Sequence, residues 1–230
     1  MELREQRFGI EIEMTGITRA GAAKVAATYF GTRSEYVGTY YQTYAAVDQE
    51  GRQWKFMSDG SIRAEKKVNG EKRAAGAVYR TEMVSPICRY EDIEKIQELI
   101  RELKKKGAIV NESCGIHVHI DASPFEAGKL RNLTNIMAAK EDLIYKALGV
   151  SVERQHRWCR PVEERFLEEL NRRRPTSMEA VEEIWYNGRS RRGQHYDQSR
   201  YHCLNLHSVF QKGTVEFRLF NGTLHAGKIK

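Results

Sequence analysis

The chain has 230 residues, of which 40% are hydrophobic, and this is enough to bury a sizeable core as one domain. Lys and Arg exceed Asp and Glu by 38 − 31 = 7, which favours an anionic partner such as a nucleotide phosphate, a nucleic acid or an acidic substrate. The N-terminal stretch MELREQRFGIEIEM lacks an apolar signal core, and no uncharged run approaches the roughly 20 residues of a membrane helix. We therefore expect a soluble protein without a membrane partner.

The cysteines point to a reducing compartment. Cys88, Cys114, Cys159 and Cys203 are widely spaced and form no CxxC pair. This spacing argues against a zinc ribbon, a redox dithiol and a dense disulfide scaffold. The sequence predicts a cytoplasmic location.

The N-terminal half alternates strand and helix patterns. RFGIEIEM, residues 7–14, has a strand pattern, and Thr18 is predicted to cap a helix over about residues 19–30. Residues 36–58 are rich in β-forming side chains, and the QEG step at 49–51 separates two runs that could pair as a hairpin.

The next stretch contains a turn, a loop, a strand and a helix. DGS at 59–61 is typical of a turn, and VNGEKRAAG at 68–76 is predicted to be a mobile surface loop. VYRTEMVS at 78–85 is predicted to be a strand. Apolar residues at helical spacing predict a helix over 90–106 that ends at Gly107.

The C-terminal half mixes strands and helices without a regular strand-helix-strand alternation. Its predicted elements are a strand at 114–121, a helix from Ser123 to Gly149, two helical segments within 161–187, a flexible basic loop at 189–199, and strands in RYHCLNLHSV and TVEFRLF. This mixture favours an α+β fold with a largely antiparallel sheet.

Ligand-type residues share one face of the strand CGIHVHID. Because successive side chains point to opposite faces, His117, His119 and Asp121 lie on one side and three apolar residues lie on the other. A lone pair of histidines at this spacing more often faces water, so the functional interpretation needs support from other strands.

Two other strands supply that support. Glu11 and Glu13 flank Ile12, while Glu216 and Arg218 flank Phe217. If the polar faces of these strands lie on one side of a curved sheet, the acids, imidazoles and guanidinium converge on a cavity.

This combination suits a metal pair beside a phosphate. Residues two apart on a strand lie about 6.6 Å apart, so Glu11 and Glu13 can each hold a different cation. Carboxylates with one imidazole suit Mg²⁺ or Mn²⁺ better than structural zinc, and Glu82 is a further carboxylate. The guanidinium of Arg218 matches a phosphate group.

The motifs FGIEIE, DGS, TEMVSP, GIHVHID and VEFRLFNGT occur in the order seen in the amidoligase family, a distant branch of the glutamine synthetase and glutamate-cysteine ligase superfamily. The chain resembles this family from residue 8 to residue 225. The resemblance implies a single catalytic domain over residues 1–230. It also implies a curved, glutamine-synthetase-like half-barrel sheet backed by helices, with ATP and Mg²⁺ or Mn²⁺ in its concave face.

The resemblance further implies a reaction and a set of site residues. ATP would phosphorylate a substrate carboxylate, and an amine would displace the phosphate to leave an amide. The residues that match metal ligands are Glu11, Glu13, Glu82, His117 and Glu216. His119 and Arg218 match residues that contact the nucleotide phosphate, Arg200 resembles a phosphate or substrate arginine, and Asp59 resembles an acid that receives the amine.

Some features are left open by the sequence. Asp59 could equally be an ordinary turn residue, and the acid and amine substrates and the oligomeric state are not determined. The basic loop at 189–199 could bind an acidic substrate, for instance a peptide or a cell-wall fragment, and the charge of the loop is the only reason for this hypothesis. The family is expected to continue with more helix after VEFRLFNGT, which suggests a short or incomplete member.

Three alternatives remain. A metal-dependent phosphotransferase would stop at phosphorylation on the same fold. The basic clusters could bind nucleic acid, although no nucleic-acid module is recognised and basic runs are usually solvated. A binding module descended from an enzyme is the third. Six positions that remain chemically competent count against it: Glu11, Glu13, Glu82, His117, Glu216 and Arg218.

Overall fold

The computed structural model describes residues 2–230, apart from the side chain of Leu3. It divides the chain into two compact units. The first unit comprises Met1–Ile116 and Asn221–Lys230, and the second comprises His117–Phe220.

Five strands of the first unit form antiparallel pairs in the order β2-β3-β4-β7-β1. They are β1 (Phe8–Met14), β2 (Ser34–Gly38), β3 (Thr43–Val47), β4 (Gln53–Met57) and β7 (Thr81–Val84). β5 (Glu65–Val68) and β6 (Glu71–Ala74) form a separate hairpin. The helices of this unit are α1 (Arg19–Phe30), α2 (Asp92–Lys105) and α8 (Ala226–Ile229).

Helix α1 covers the sheet of the first unit. The Thr18 hydroxyl accepts the N–H of Gly21, as the sequence predicts, and Gly31 ends the helix at a φ of 68°. Ala22, Ala23 and Ala26 are fully buried, and α1 contacts β3 and β4. Their small side chains allow the helix to lie close to the strands.

The core of the first unit lies between the sheet and its helices. Its fully buried side chains include Ile12, Met14, Trp54, Phe56 and Met83. The apolar face of α2 is also fully buried through Leu99, Ile100 and Leu103. Burial of such side chains contributes about 1.5–3 kcal/mol each, so this packing is the main force that fixes the strands.

The second unit contains three neighbouring strands and five helices. The strands lie in the order β8 (Gly115–Asp121), β10 (Thr214–Asn221) and β9 (Leu204–Asn205). Gly115, Ile116 and Asn221, at the ends of two of these strands, belong to the first unit. The helices are α3 (Ala127–Leu148), α4 (Val152–Arg157), α5 (Glu164–Arg173), α6 (Met178–Tyr186) and α7 (His207–Lys212). Its core includes Leu130, Phe166, Leu170, Val215 and Leu219.

The predicted α+β class with antiparallel strands and covering helices is confirmed. Within each unit, the described strands are not closed into a barrel. The glutamine-synthetase-like half barrel and the single domain over 1–230 stay predictions. Among the described residues, no helix is both long enough and apolar enough to span a bilayer.

The predicted surface loop at 68–76 is wrong. The chain there completes the β5–β6 hairpin, whose turn consists of Asn69 and Gly70 with φ values of 51° and 86°. Asn-Gly is the preferred pair for a two-residue hairpin turn, because both residues tolerate positive φ. This local signal was available in the sequence and outweighs the polar composition.

Three other boundaries also differ from the sequence predictions. Only Thr81–Val84 of 78–85 forms a strand, because a 3-10 turn occupies Ala77–Tyr79. RYHCLNLHSV contains only the two-residue β9 and the start of α7. The helix predicted from Ser123 begins at Ala127 and ends, as predicted, at Gly149.

A buried ion-pair network joins the β3–β4 hairpin to α2. The Arg52 guanidinium donates to both carboxylate oxygens of Asp92, at 2.7 and 2.8 Å, and to Asp48 at 2.9 Å. Burial alone would raise the pKa of Asp92, but the hydrogen bonds from Arg52 and the Arg89 N–H outweigh it and lower the pKa to about 2.

We expect Asp92→Asn to lower the free energy of unfolding at pH 7 by about 1–3 kcal/mol, since a charge-assisted fork is lost. The pKa of Asp92 in the folded protein lies below its unfolded value of 3.8, so the unfolded chain binds a proton at a higher pH than the folded protein does. The stabilisation is therefore present above about pH 4 and is lost as the pH falls to about 2. Urea unfolding across this range measures it. The control Glu50→Gln, which removes an exposed partner of Arg52, should change stability by less than about 0.5 kcal/mol. An equal loss in both variants would contradict the expectation.

Candidate active site

Three carboxylates of the first unit form an acidic cluster, defined as Glu13, Asp59 and Glu82. One oxygen from each lies within 4.8 Å of the others. Glu13 and Glu82 are 4% and 8% exposed. The structure thus brings together three acids that the sequence analysis took from three separate motifs.

Strand register places these acids. Glu13 of β1 lies directly opposite Glu82 of β7, and Glu82 lies opposite Met57 at the end of β4. The chain leaves β4 two residues before Asp59, which therefore arrives beside the pair. The Ser61 N–H and hydroxyl both donate to Asp59 at 2.6 Å and fix the turn.

The acidic cluster has the chemistry of a hard-cation site. Glu13 also accepts the N–H of Gly115, the first residue of β8, at 2.5 Å, so this carboxylate is held in place. Clustered, largely buried carboxylates repel one another unless a cation lies among them. An all-oxygen donor set suits Mg²⁺, Mn²⁺ or Ca²⁺.

The second unit contains a glutamate–arginine cluster, defined as His117, His119, Glu216 and Arg218. Glu216 is 1% exposed, and its Oε1 accepts from Arg218 at 2.5 Å. The same oxygen lies 3.9 Å from His117 Nδ1 and 3.8 Å from His119 Nε2. The alternation in CGIHVHID therefore places both imidazoles at this carboxylate, and the solvent-facing interpretation of the histidines is wrong.

Neighbouring polar groups orient the glutamate–arginine cluster. Asn205 of β9 lies opposite Glu216 in the register and donates to its Oε2 at 2.6 Å. His119 Nδ1 lies 2.9 Å from the Thr214 hydroxyl, which in turn lies 2.8 Å from the Ser208 hydroxyl. Such partners fix an imidazole ring so that its other nitrogen faces the site.

The two predicted phosphate arginines lie near the ring of Tyr201. The guanidinium carbons of Arg218 and Arg200 are each 5.7 Å from the ring centroid. Arg200 also donates to the His195 carbonyl at 2.6 Å, while Arg218 Nε donates to the Trp158 carbonyl at 3.4 Å. The Tyr201 ring thus lies beside both guanidinium groups, and that of Arg218 is already paired with Glu216.

Sequence reasoning missed several positioning residues. Asn205 alternates with leucines in CLNLHS, so its pattern could have indicated a polar residue on a strand. Arg154 of α4 gave no comparable signal. It is buried and donates to the carbonyls of Arg218 and Phe220, at 3.4 and 3.2 Å, which fixes the end of β10.

The cysteines do not fit a nucleophilic role. All four are buried thiols. Burial raises the pKa of Cys88 to about 11 and that of Cys203 to about 12. Since the thiolate is the reactive form, Cys88 and Cys203 stay protonated and unreactive near neutral pH.

The predicted site residues thus gather in two sets. Glu13, Asp59 and Glu82 meet in the first unit, and His117, His119, Glu216 and Arg218 meet in the second. Glu11 lies on the same side of β1 as Glu13, since side chains two apart share a face of a strand, and it is partly exposed. The prediction that both sets share one cavity stays a prediction.

Carboxylates, imidazoles and guanidinium groups on neighbouring strands are typical of active sites that bind phosphate and metal ions. The family model described as "Putative amidoligase enzyme" matches residues 4–230, and the chain belongs to this family. The family name describes ligases that form amide bonds, which implies a carboxylate and an amine as substrates. No curated protein and no solved structure matches the chain.

We expect Mn²⁺ to raise the melting temperature of the protein, because a bound cation relieves repulsion in the acidic cluster. Glu82→Gln removes one charged ligand oxygen, so this variant should gain less from Mn²⁺ than the wild type does. Thermal unfolding with and without Mn²⁺ measures both effects. The control Glu71→Gln removes an exposed carboxylate and should leave the Mn²⁺ response unchanged. An undiminished Mn²⁺ response in Glu82→Gln would rule out this metal site.

Proposed function

We propose that the protein is an ATP- and Mg²⁺-dependent carboxylate–amine ligase that forms an amide through an acyl phosphate. The observation that carries the proposal is the glutamate–arginine cluster, in which Glu216, Arg218 and two imidazoles are buried together. Membership of the amidoligase family supports the reaction class. Four buried thiols are compatible with a cytoplasmic location.

The chemistry of the donor set supports Mg²⁺ or Mn²⁺ as the resident metal. Glu13 and Glu82 supply carboxylate oxygens in the first unit, and His117 and Glu216 supply an imidazole and a carboxylate in the second. Glu11 completes the proposed ligand set. When bound, the ions would neutralise phosphate charge and align the nucleotide.

Arg218 is the residue that we assign to the transferring phosphate. Its guanidinium is always charged and offers a fork that matches phosphate oxygens, while Glu216 and the Trp158 carbonyl hold it in place. A donor that is held before the reaction stabilises developing charge without reorganisation. His119 and Arg200 are assigned to further phosphate contacts.

The proposed reaction has two steps. First, a substrate carboxylate oxygen attacks the γ-phosphorus of ATP, the bond to the β-phosphate oxygen breaks, and ADP leaves. Second, the amine nitrogen attacks the acyl carbon, the carbon–oxygen bond to phosphate breaks, and an amide and inorganic phosphate are formed. The amine must lose a proton before or during this step.

Asp59 is the proposed acceptor of that proton. The Ser61 N–H and hydroxyl fix this carboxylate beside Glu13 and Glu82, where negative charge favours binding of an ammonium group. Its position in a mutually repelling cluster supports a functional role over that of a plain turn residue.

A phosphotransferase is the second candidate, because the glutamate–arginine cluster serves phosphoryl transfer in either case. The two functions differ in stoichiometry. A ligase releases one inorganic phosphate and one amide for each ADP, whereas a kinase leaves the phosphate on its acceptor.

We expect calorimetry to detect ATP binding that requires Mg²⁺ and is lost in the double variant Glu13→Gln with Glu216→Gln. Both substitutions keep side-chain shape but remove a metal-binding charge. The matched control, Glu71→Gln with Glu168→Gln, changes two exposed carboxylates and should bind ATP normally. Nucleotide binding that persists in the double variant, or that does not depend on Mg²⁺, would argue against the proposed site.

For active pairs from a screen of carboxylates and amines, we expect ADP, inorganic phosphate and amide in equal amounts. The ratio follows from displacement of phosphate by the amine. Coupled ADP and phosphate assays with mass spectrometry of the product measure it. ADP release with a stable phosphorylated acceptor and no amide would favour the kinase.

A further inference from the structure

A pocket of about 330 Å³ lies at the N-terminal end of α1 in the first unit. Residues that line it include Thr18, Arg19, Tyr36, Gln42, Tyr44 and Val78. Its volume lies at the lower end of the range for small-molecule sites. We name it the Arg19 pocket.

Arg19 is a buried cation whose hydrogen-bond acceptors are all neutral. The side chain is 4% exposed. Nη1 donates to the carbonyls of Ala77 and Arg80, at 2.9 and 3.1 Å, and Nη2 donates to the amide oxygen of Gln42 at 2.5 Å. Burial lowers the pKa of this guanidinium, and within residues 2–230 no carboxylate forms an ion pair with it.

A buried charge without a counter-ion is costly, so an incoming anion is favoured there. Helix geometry adds to this preference. Thr18, Arg19 and Ala20, at the start of the 12-residue helix α1, line the pocket. The first N–H groups of a helix have no intrahelical partner, and the helix dipole is positive at this end.

Gln42 occupies the position that an anion would take. Gln42 lies in the β2–β3 connection and is exposed as a whole. Its amide oxygen nevertheless accepts a hydrogen bond from the buried Nη2 of Arg19. A carboxylate oxygen makes the same hydrogen bond with a full negative charge, so it would bind more strongly than the amide.

Two tyrosine rings form a wall of the Arg19 pocket. The centroids of Tyr36 and Tyr44 are 4.9 Å apart at an interplanar angle of 54°, and Tyr36 is 58% exposed. Val78 adds an exposed apolar side chain. Aromatic rings beside a guanidinium favour a ligand that has a ring or an apolar face next to its anionic group.

The Arg19 pocket is close in the chain to the acidic cluster. Arg80, whose carbonyl accepts from Arg19, precedes Glu82 by two residues, a separation of about 6–7 Å along an extended chain. The register nevertheless separates the two sites: Tyr36, Tyr44, Phe56 and Met83 follow one another on one face of the sheet, whereas Glu82 and Glu13 lie on the other face.

We propose that the Arg19 pocket binds the carboxylate of a ligand with a ring or an apolar face, and that this carboxylate displaces the Gln42 amide from Arg19. This site goes beyond the proposed function and does not depend on it, because the wall of the pocket and the acidic cluster lie on opposite faces of the sheet. Carboxylate binding itself needs neither ATP nor metal.

The test uses benzoate as the probe, with calorimetry on the full chain without nucleotide or metal. Benzamide lacks the charge and acetate lacks the ring, so each should bind at least about tenfold more weakly than benzoate. Absence of benzoate binding, or equal binding of benzoate and benzamide, would overturn the proposal.

Gln42→Glu supplies an internal carboxylate of the same shape. We expect this variant to melt at a higher temperature, because Arg19 gains a counter-ion, and to lose benzoate binding. The control Gln49→Glu adds the same charge at an exposed residue outside the pocket lining and should leave benzoate binding unchanged. Unaltered benzoate affinity in Gln42→Glu would refute the displacement.

The two proposals fail separately. Benzoate binding by a protein that binds no Mg–ATP would overturn the ligase and leave the carboxylate site intact. Mg–ATP binding without benzoate binding would overturn the carboxylate site and leave the ligase intact. Gln42→Glu should keep Mg–ATP binding, since Gln42 belongs to neither cluster.

Discussion

The first unit depends on holding two carboxylates opposite each other in an antiparallel strand pair. Glu13 and Glu82 are register partners, and like charges in this arrangement destabilise a sheet. The other face of the same strands compensates, since Ile12 and Met83 are opposite each other and fully buried. Apolar packing on one face thus stabilises two close carboxylates on the other face, and a bound cation would relieve their repulsion.

In the second unit, the buried carboxylate of Glu216 lies beside hydrogen-bond donors and a cation instead of beside other carboxylates. Glu216 accepts hydrogen bonds from Arg218 and Asn205, and the imidazoles of His117 and His119 lie within 4 Å. Charge in this cluster is already compensated within the protein, so it is preorganised to hold donors in fixed positions. The two clusters therefore differ in chemistry: the acidic cluster gathers carboxylate oxygens, and the glutamate–arginine cluster presents a guanidinium.

Arg19 is the counterpart of the acidic cluster within the first unit. It is a buried cation surrounded by neutral acceptors, whereas Glu13 and Glu82 are buried anions close to a third. A structure that buries charged groups is often less stable than one with an apolar core in their place. Buried charges of this kind are common where a protein binds charged ligands.

The sequence by itself determined the α+β class, the faces of β1, β8 and β10, the cap of α1 and the family, because side-chain alternation and ordered motifs are local properties. Tertiary structure decided which acids meet, since the proximity of Asp59 to Glu82 depends on the register of β4 with β7. It also decided the roles of Asn205, Arg154 and Arg19. Their partners are distant in sequence, and no local pattern encodes which carbonyl or carboxylate a long polar side chain will reach.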